Sequence, residues 1–333
     1  MSMPMRSSRH RPRCVFRVAA GPRVGYGHLM RARALARCLD MEVSISVRGG
    51  RTAKAAARVV GPLVNDADPL HAADVLIVDD PRQASGGSWV SRARRLGIHS
   101  VSVHDEEWAH DADLVVCGAL GVSRPQTTAP ALHGVRFYLL DSRIAEARAL
   151  RADRRGLNPP HVIIALGGGQ HVRRVAQRLV DAIVAKCPDA VIEVAAGFSA
   201  SAQPLLRQAS WLTARTGLTQ ALLGADVAVV AGGVTIYEAC ALGVPSVGLA
   251  VVPGQRRSVR AFAREGAVID AGDATSGQAA IALAASGVAR LVRDGQLRRS
   301  LGSRARALVD GRGAHRVARS IHALVEEGRR RYA

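Results

Sequence analysis

A glycine-rich turn carries a histidine at the start of a predicted helix. The sequence VGYGHLMRARALA (Val24–Ala36) places His28 after Gly25 and Gly27, where the apolar run CVFRVAA gives way to a helical pattern. A helix N-terminus attracts anions and disfavours a charged imidazole, so a neutral His28 could accept a proton as a general base. The alternative is a histidine near the helix start that makes only a structural hydrogen bond.

A second glycine turn has the residues expected of a nucleotide site. In AGGVTIYEACALGVP a helix opens directly after an apolar strand, and its first N–H groups and the threonine hydroxyl suit a diphosphate without lysine or metal. Glu238, one turn into this helix, suits the two hydroxyls of a ribose, or it only complements the helix dipole. The predicted diphosphate contacts are Gly232, Gly233, Val234 and Thr235.

A third turn, ALGGGQH, also joins a strand to a helix. Gly168 and Gly169 are predicted to contact a phosphate or the sugar, although a tight turn alone would also account for them. His171, at the end of this turn, is a weaker candidate.

Acidic residues end two apolar strands. Asp79 and Asp80 close VLIVDD, and His104 and Asp105 follow the next strand. Ligands of open α/β sheets bind at the carboxyl ends of strands. Either pair could hold sugar hydroxyls, orient His28 or cap the segments that follow, and we rank Asp79 and Asp80 above His104 and Asp105 as functional candidates.

Several enzyme classes are disfavoured by the sequence. Met30 occupies the third glycine position of a dinucleotide fingerprint, which must be small. There is no G-x-S-x-G elbow, H-E-x-x-H helix or P-loop lysine. The five cysteines are scattered without a C-x-x-C pair, so we expect a reduced, cytoplasmic protein with no metal and no cofactor.

The charge balance is strongly basic. The formal net charge is +19, which would attract phosphorylated substrates, polyanions or an anionic membrane face. Aromatic residues make up only 3% of the chain and no RNA-reading signature is present, so we expect no specific nucleic-acid partner. Peripheral association with an anionic membrane surface stays open, beside the simpler interpretation of a solvated basic surface.

Strands and helices alternate along the chain and then restart after a charged, proline-containing stretch. This pattern predicts an α/β protein of two Rossmann-like, doubly wound domains facing across a cleft. The predicted divisions are a disordered basic tail (1–13), a first domain (14–145), a linker (146–158), a nucleotide-binding domain (159–311) and a C-terminal helix (312–333) packing back towards the first domain.

The motifs together resemble a known family. FRVAAGPRVGYGHLMRARALA resembles the N-terminal G-x-G-H motif of the nucleotide-sugar hydrolases of pseudaminic acid biosynthesis and their spore-coat-polysaccharide relatives, within the GT-B glycosyltransferase superfamily. VLIVDD, YLLDSRI, LGGGQ, ADVAVVAGGVTIYEACALGVPSVGL and VDGRGAHRVARSI resemble further family segments, from about Cys14 to about Leu324.

The resemblance implies metal-independent cleavage of a UDP-linked modified amino sugar in surface-glycan or nonulosonic acid biosynthesis. His28 would activate water for attack at the anomeric carbon, and Glu238 would hold the ribose. Residues 232–235 would hold the diphosphate, Arg17 and Arg31 would line the first-domain face, and Gln255 would be the retained member of an N-Q pair.

Departures from the family pattern cluster on the sugar side. Pro81 and Arg82 replace an expected tyrosine region, Gln170 replaces an acid, and Gly254 replaces the asparagine before Gln255. A GT-B glycosyltransferase with a glycan, peptide or lipid acceptor is therefore the alternative function. A non-catalytic nucleotide-sugar or polyanion-binding protein is the second alternative.

Overall fold

The computed structural model describes residues 11–22, 24–64, 69–151, 158–168, 171–197, 205–214 and 217–332. Predictions for the rest of the tail, for Gly169 and Gln170, and for residues 152–157 of the linker lie outside the described residues. So does the side chain of His171.

The first sheet has six parallel strands in the order β2-β1-β3-β4-β5-β6. Its strands are β1 (Arg13–Ala19), β2 (Glu42–Arg48), β3 (Val75–Asp79), β4 (His99–His104), β5 (Leu114–Cys117) and β6 (Ala131–His133). The helices of this half are α1 (Gly27–Ala36), α2 (Arg51–Ala57) and α3 (Gln83–Arg95).

The second sheet is also six-stranded and parallel, in the order β12-β11-β10-β7-β8-β9. Its strands are β7 (His161–Ala165), β8 (Val191–Ala195), β9 (Ser210–Leu212), β10 (Val227–Val230), β11 (Ser246–Ala250) and β12 (Ile269–Asp273). The remaining helices are α4 (Ser142–Arg151), α5 (His171–Val184), α6 (Thr219–Gly224), α7 (Val234–Leu242), α8 (Gln255–Arg264), α9 (Gln278–Arg293), α10 (Gly295–Leu308) and α11 (Gly313–Tyr332). Short 3₁₀ turns span Val135–Phe137 and Ala274–Ser276.

The strand orders place a crevice in each half. The chain winds outward in both directions from β1 and β3 in the first sheet, and from β7 and β10 in the second. Such switch points are where open α/β sheets bind ligands. The predicted doubly wound fold is confirmed. The three glycine turns predicted to contact the substrate follow β1, β7 and β10.

The connections between the halves differ in detail from the sequence prediction. Arg13, assigned to the tail, is the first residue of β1. The predicted linker begins inside α4, whose buried Ile144 and Ala147 pack into the core of the second half. The C-terminal helix α11 returns to the first half, where Val317 and Ile321 are fully buried in its core.

Candidate active site

His28 lies in the first turn of α1, at the carboxyl end of β1. The preceding turn is closed by two backbone hydrogen bonds between Gly21 and Gly25, and Gly25 has a φ of 86°, a left-handed value that favours glycine. The histidine side chain lines a cavity between the two sheets and is 18% exposed. The sequence pattern placed His28 at this edge, and the structure adds that it faces the second domain.

Asp79 fixes the orientation of the His28 ring. Its Oδ1 lies 2.7 Å from Nδ1 of His28, because β1 and β3 are neighbours and Val18 is in register with Asp79. A carboxylate only accepts hydrogen bonds, so the Asp79 contact requires Nδ1 to carry a proton and donate a hydrogen bond to Oδ1. Nη2 of Arg31 also lies 2.8 Å from Nδ1, but it donates to the same Oδ1 of Asp79. The other ring nitrogen, Nε2, is then left with a lone pair that can accept a proton.

Arg31, one helical turn after His28, holds Asp79 from the other side. Its Nε donates to Oδ2 of Asp79 at 3.0 Å and its Nη2 to Oδ1 at 2.8 Å, a bidentate pair buried under the cavity. Burial alone would raise the pKa of Asp79, but the charges of Arg31 and His28 and their hydrogen bonds outweigh it and lower that pKa to about 2. Asp79 therefore remains an anion beneath His28.

Asp105, the residue after β4, completes this hydrogen-bond network. Its Oδ2 accepts a hydrogen bond from Nη1 of Arg31, and its side chain lines the cavity. Burial opposes the charged form of Arg31, yet Asp105 and Asp79 together raise its pKa well above the ordinary value. Arg31 is thus a permanent cation that joins the two carboxylates.

Asp80 and Arg17 have other contacts and do not line the cavity. Asp80 is fully buried and receives hydrogen bonds from the Arg48 side chain, from the backbone N–H of Arg82 and from the Ser85 hydroxyl. Arg17 donates to Ser46 Oγ at 2.9 Å, and its guanidinium lies 4.8 Å from the ring centre of Trp89. The contacts of both residues are with neighbouring side chains and backbone of the first domain. The sequence had predicted contacts with the substrate.

The start of α7 supplies the second-domain side of the cavity. The first backbone N–H groups of a helix have no partner within the helix, and no side chain caps those of α7. Gly168, Gly233, Val234 and Thr235 line the cavity at this end. This arrangement of amides and one hydroxyl is suited to an anion.

Gly232 and Gln255 shape the turn beneath α7. A Cβ on Gly232 would lie 2.4 Å from the backbone oxygen of Gln255, so only glycine allows this close approach. Gln255 lines the cavity, and its Oε1 accepts a hydrogen bond from the N–H of Val251 at 3.0 Å. Gly232 acts through packing and is not itself a lining residue.

Glu238 is the acidic group of the second-domain side. It is half-buried and borders both the main cavity and a smaller adjoining one. Burial, helped by the nearby charge of Asp141 and opposed by Arg33, raises the pKa of Glu238 to about 7. The carboxyl therefore changes charge near neutral pH.

The two halves meet closely at the cavity. A Cβ on Gly27 would lie 3.3 Å from Cγ2 of Val234, so the starts of α1 and α7 face each other. Tyr138 and Tyr237 stack with ring centres 3.4 Å apart, and the Tyr237 oxygen accepts a hydrogen bond from the N–H of Leu120 at 2.8 Å. His28 is thereby brought to the same cavity as the α7 terminus and Glu238.

Two lining residues were given little or no weight by the sequence. Asp105 was paired with His104 as a minor candidate, and Tyr138 begins the YLLDSRI segment but was not singled out as a site residue. Asp105 could have been ranked higher from its position, since it follows β4 as Asp79 ends β3. His104 is buried and bonds to Ser102 Oγ at 2.6 Å, and burial, followed by the nearby His110, lowers its pKa to about 4.

The described residues contain no helix long and apolar enough to cross a membrane. They also contain no group of three or more His, Cys, Asp or Glu side chains placed to hold a metal ion.

Comparison with known proteins shows similarity both by sequence and by fold. No protein-family model matches the chain. The spore coat polysaccharide biosynthesis protein SpsG of Bacillus subtilis (strain 168) is 36% identical over 105 residues, which are 31% of this chain and 30% of SpsG. The aligned part therefore spans less than a third of that relative.

Solved structures match over nearly the whole chain. Spinosyn forosaminyltransferase SpnP has a TM-score of 0.64 at 15% identity, covering 95% of this chain and 99% of its own. Spinosyn rhamnosyltransferase SpnG complexed with thymidine diphosphate has a TM-score of 0.61 at 16% identity, covering 93% of this chain and 99% of its own. The two Rossmann-like domains and the cleft between them therefore form a GT-B fold.

Proposed function

We propose that the protein is a nucleotide-sugar glycosyltransferase that uses His28 as its general base. The observation that carries the proposal is that His28, held by Asp79, and the uncapped start of α7 border one cavity. A base and an anion site on opposite walls are what a group transfer from a sugar diphosphate requires.

The second domain is proposed to hold the nucleotide. The diphosphate would accept hydrogen bonds from the backbone at Gly233 to Thr235 and from the Thr235 hydroxyl, while ionised Glu238 would accept those of the ribose hydroxyls. The fold is shared with a glycosyltransferase complexed with thymidine diphosphate, which supports a nucleoside diphosphate in this cleft. The resemblance of the sequence motifs favours uridine as the nucleoside.

The transfer step is proposed to proceed through Nε2 of His28. The acceptor oxygen forms a bond to the anomeric carbon as the bond from that carbon to the diphosphate oxygen breaks. The acceptor proton moves to Nε2, and the electron pair leaves with the diphosphate, whose charge the α7 amides stabilise. Asp79 keeps the ring in the tautomer that this step needs and stabilises the imidazolium that forms.

Hydrolysis of the UDP-sugar, the main expectation from the sequence resemblance, uses the same residues with water in place of the acceptor. The glycosyltransferase neighbours favour transfer over hydrolysis. The partial match to SpsG supports a role in the biosynthesis of a polysaccharide or related glycan. A cytoplasmic location is part of the proposal, and it agrees with five cysteines that are all free.

The first test is binding and turnover of nucleotide sugars. Calorimetry with UDP, dTDP, GDP and ADP is expected to show selective binding of a pyrimidine diphosphate. Release of the nucleotide from UDP- and dTDP-sugars is then measured in oxygen-labelled water, with and without glycan, peptide and lipid acceptors. Strong acceleration by an acceptor supports transfer, whereas full-rate release with label at the anomeric oxygen supports hydrolysis.

Two outcomes would contradict the proposal. If none of the diphosphates binds, the cavity is not a nucleotide site, and the non-catalytic polyanion-binding alternative gains support if nucleic acid binds with a strong salt dependence. If His28→Ala retains the full rate, His28 is not the base.

A further inference from the structure

The first-domain wall of the cavity is negatively charged. Arg31 is the only cation among the described lining residues apart from the titratable His28, and it is bound by two carboxylates, Asp79 and Asp105. One positive charge against two negative charges leaves a net negative charge beside His28. A carboxylate on the substrate would therefore be repelled at this wall.

Asp105 is the accessible member of this group. Its side chain is 39% exposed, whereas the Arg31 side chain is 4% exposed and Asp79 is buried beneath. Only one of its carboxylate oxygens, Oδ2, bonds to Arg31, and the other, Oδ1, is shielded from solvent and has no hydrogen-bond partner in the described structure. The Asp105 carboxylate thus has unused capacity to accept a hydrogen bond or to pair with a cation.

Both domains fix the position of Asp105. Arg31 of α1 binds its carboxylate, and Arg257 of α8 donates to its backbone oxygen while pairing with Glu106 at 3.1 Å. Because α8 belongs to the domain proposed to bind the nucleotide, Asp105 is held at a set place relative to the diphosphate. A carboxylate held in this way can distinguish groups on a substrate.

We propose that Asp105 selects the sugar, favouring nucleotide sugars that carry a protonated amino group over those with a hydroxyl or a carboxylate at the same carbon. The inference rests on the proposed function and defines its substrate class. The ammonium group donates hydrogen bonds to Asp105 and offsets the net negative charge of the wall. A hydroxyl makes a weaker, neutral hydrogen bond, and a carboxylate is repelled.

The test is equilibrium binding, which needs no acceptor. The ligands are UDP, UDP-glucose, UDP-glucosamine, UDP-4-amino-4-deoxyglucose and UDP-glucuronic acid, with dTDP counterparts if dTDP binds more tightly than UDP. The amine is at C2 in UDP-glucosamine and at C4 in UDP-4-amino-4-deoxyglucose. We expect one of these two ligands to bind about tenfold more tightly than UDP-glucose, which has a hydroxyl at both carbons. UDP-glucuronic acid is expected to bind more weakly than UDP-glucose.

Two isosteric variants locate the effect. Asp105→Asn is expected to reduce the amine preference to near unity while leaving the affinity for UDP unchanged. Glu107→Gln removes a neighbouring exposed carboxylate that does not line the cavity, and it is expected to keep the preference. Glu106 is left in place because it pairs with Arg257, which holds Asp105. If Asp105→Asn acted only by moving Arg31 and His28, it would change the turnover of all sugars alike. The ratio of the amino-sugar affinity to the UDP-glucose affinity therefore separates recognition of the sugar from positioning of His28.

The outcomes separate this inference from the proposed function. If neither UDP nor dTDP binds the wild-type protein, the proposed function fails. If UDP binds and neither amino sugar binds more tightly than UDP-glucose, only the inference is overturned, and this result requires no variant. The inference is also overturned if Asp105→Asn keeps the preference, or if Glu107→Gln loses it.

Discussion

Oδ1 of Asp79 lies 2.7 Å from Nδ1 of His28, and this contact joins the carboxyl ends of two neighbouring parallel strands. The same carboxylate is bound through both oxygens by Arg31. Asp79 is therefore held as an anion whether or not His28 is charged. In the neutral imidazole the pair places the proton on Nδ1, so that Nε2 is the nitrogen that can accept one.

The first prediction follows from this pair. His28→Ala should lower kcat by about 10² to 10⁴-fold because the general base is lost. Asp79→Asn should lower kcat by about 10²-fold, because an amide can stabilise neither the tautomer nor the imidazolium as the carboxylate does. Steady-state kinetics of nucleotide release should show KM for the nucleotide sugar nearly unchanged in both.

A matched control is His315→Ala, which removes an exposed histidine of α11. Its kcat should equal that of the wild type. An Asp79→Asn protein with normal kcat would show that Asp79 serves only to anchor Arg31.

The second prediction concerns Glu238, whose pKa is raised to about 7. As pH rises through this value the carboxyl loses its proton and can accept hydrogen bonds from both ribose hydroxyls. Between pH 6 and pH 8 the ionised fraction rises from about one tenth to about nine tenths, so the affinity for UDP should rise by about tenfold. Calorimetry across this range measures the change.

Glu238→Gln is the control for this pH dependence, because UDP itself also ionises with a pKa near 6. The variant should retain only the part of the dependence that belongs to the ligand. Its free protein should also lose less stability than the wild type as pH rises towards 7. The wild-type carboxyl holds its proton up to about pH 7 in the folded state, but only to about pH 4.5 when unfolded. Equal pH dependence of UDP binding in both proteins would contradict the role of Glu238.

The sequence predicted the alternation of elements and the places of the glycine turns, because both depend on local patterns. Strand periodicity and the residues after β1 and β10 were enough to place His28 and Glu238 at the same edge of their sheets. The orientation of His28 by an acid was among three interpretations of Asp79 and Asp80, and the sequence could not choose between them.

That choice depends on tertiary packing. Neighbouring residues at a strand end point to opposite faces, so one of Asp79 and Asp80 meets α1 and the other meets Arg48 and α3. Which face each one takes depends on how the helices pack. The resemblance placed Arg31 on the first-domain face, but its binding of two carboxylates was hidden, because both partners lie far from it in the sequence.

The third prediction distinguishes Asp80 from Asp79. Asp80→Asn removes a buried charge that pairs with Arg48 and accepts hydrogen bonds from the Arg82 N–H and the Ser85 hydroxyl, and it should lower the free energy of unfolding by about 3 kcal/mol. Burial raises the pKa of Asp80, but Arg48, the Arg82 N–H and Ser85 outweigh it, and the net shift is downward. The stabilisation is therefore present above the ordinary carboxyl range and is lost as pH falls through the lowered pKa.

Urea unfolding at pH 7 measures this loss, and calorimetry with UDP is the companion measurement. The folded variant should bind UDP with nearly the wild-type affinity, since Asp80 does not line the cavity. A large loss of UDP affinity with unchanged stability would show that Asp80 contributes to substrate binding.

The fourth prediction tests the packing beneath α7. Gly232→Ala places a Cβ 2.4 Å from the backbone oxygen of Gln255, so the turn must move and the first amides of α7 move with it. Overpacking of this kind should lower the free energy of unfolding by about 1 to 3 kcal/mol and weaken UDP binding. Gly254→Ala is the matched control in the neighbouring turn.

Gly254 has a right-handed helical backbone, and a Cβ there would meet no atom within 4 Å. Its substitution should change stability by less than about 0.5 kcal/mol and leave UDP binding intact. Urea midpoints and calorimetric affinities of the two variants then separate backbone packing from ligand contact. If Gly232→Ala loses stability but binds UDP normally, the α7 amides do not bind the diphosphate at the position proposed for it. If Gly254→Ala weakens UDP binding as much as Gly232→Ala does, the ligand contacts the turn before Gln255 directly, and the nucleotide sugar extends further towards α8 than the site proposed here.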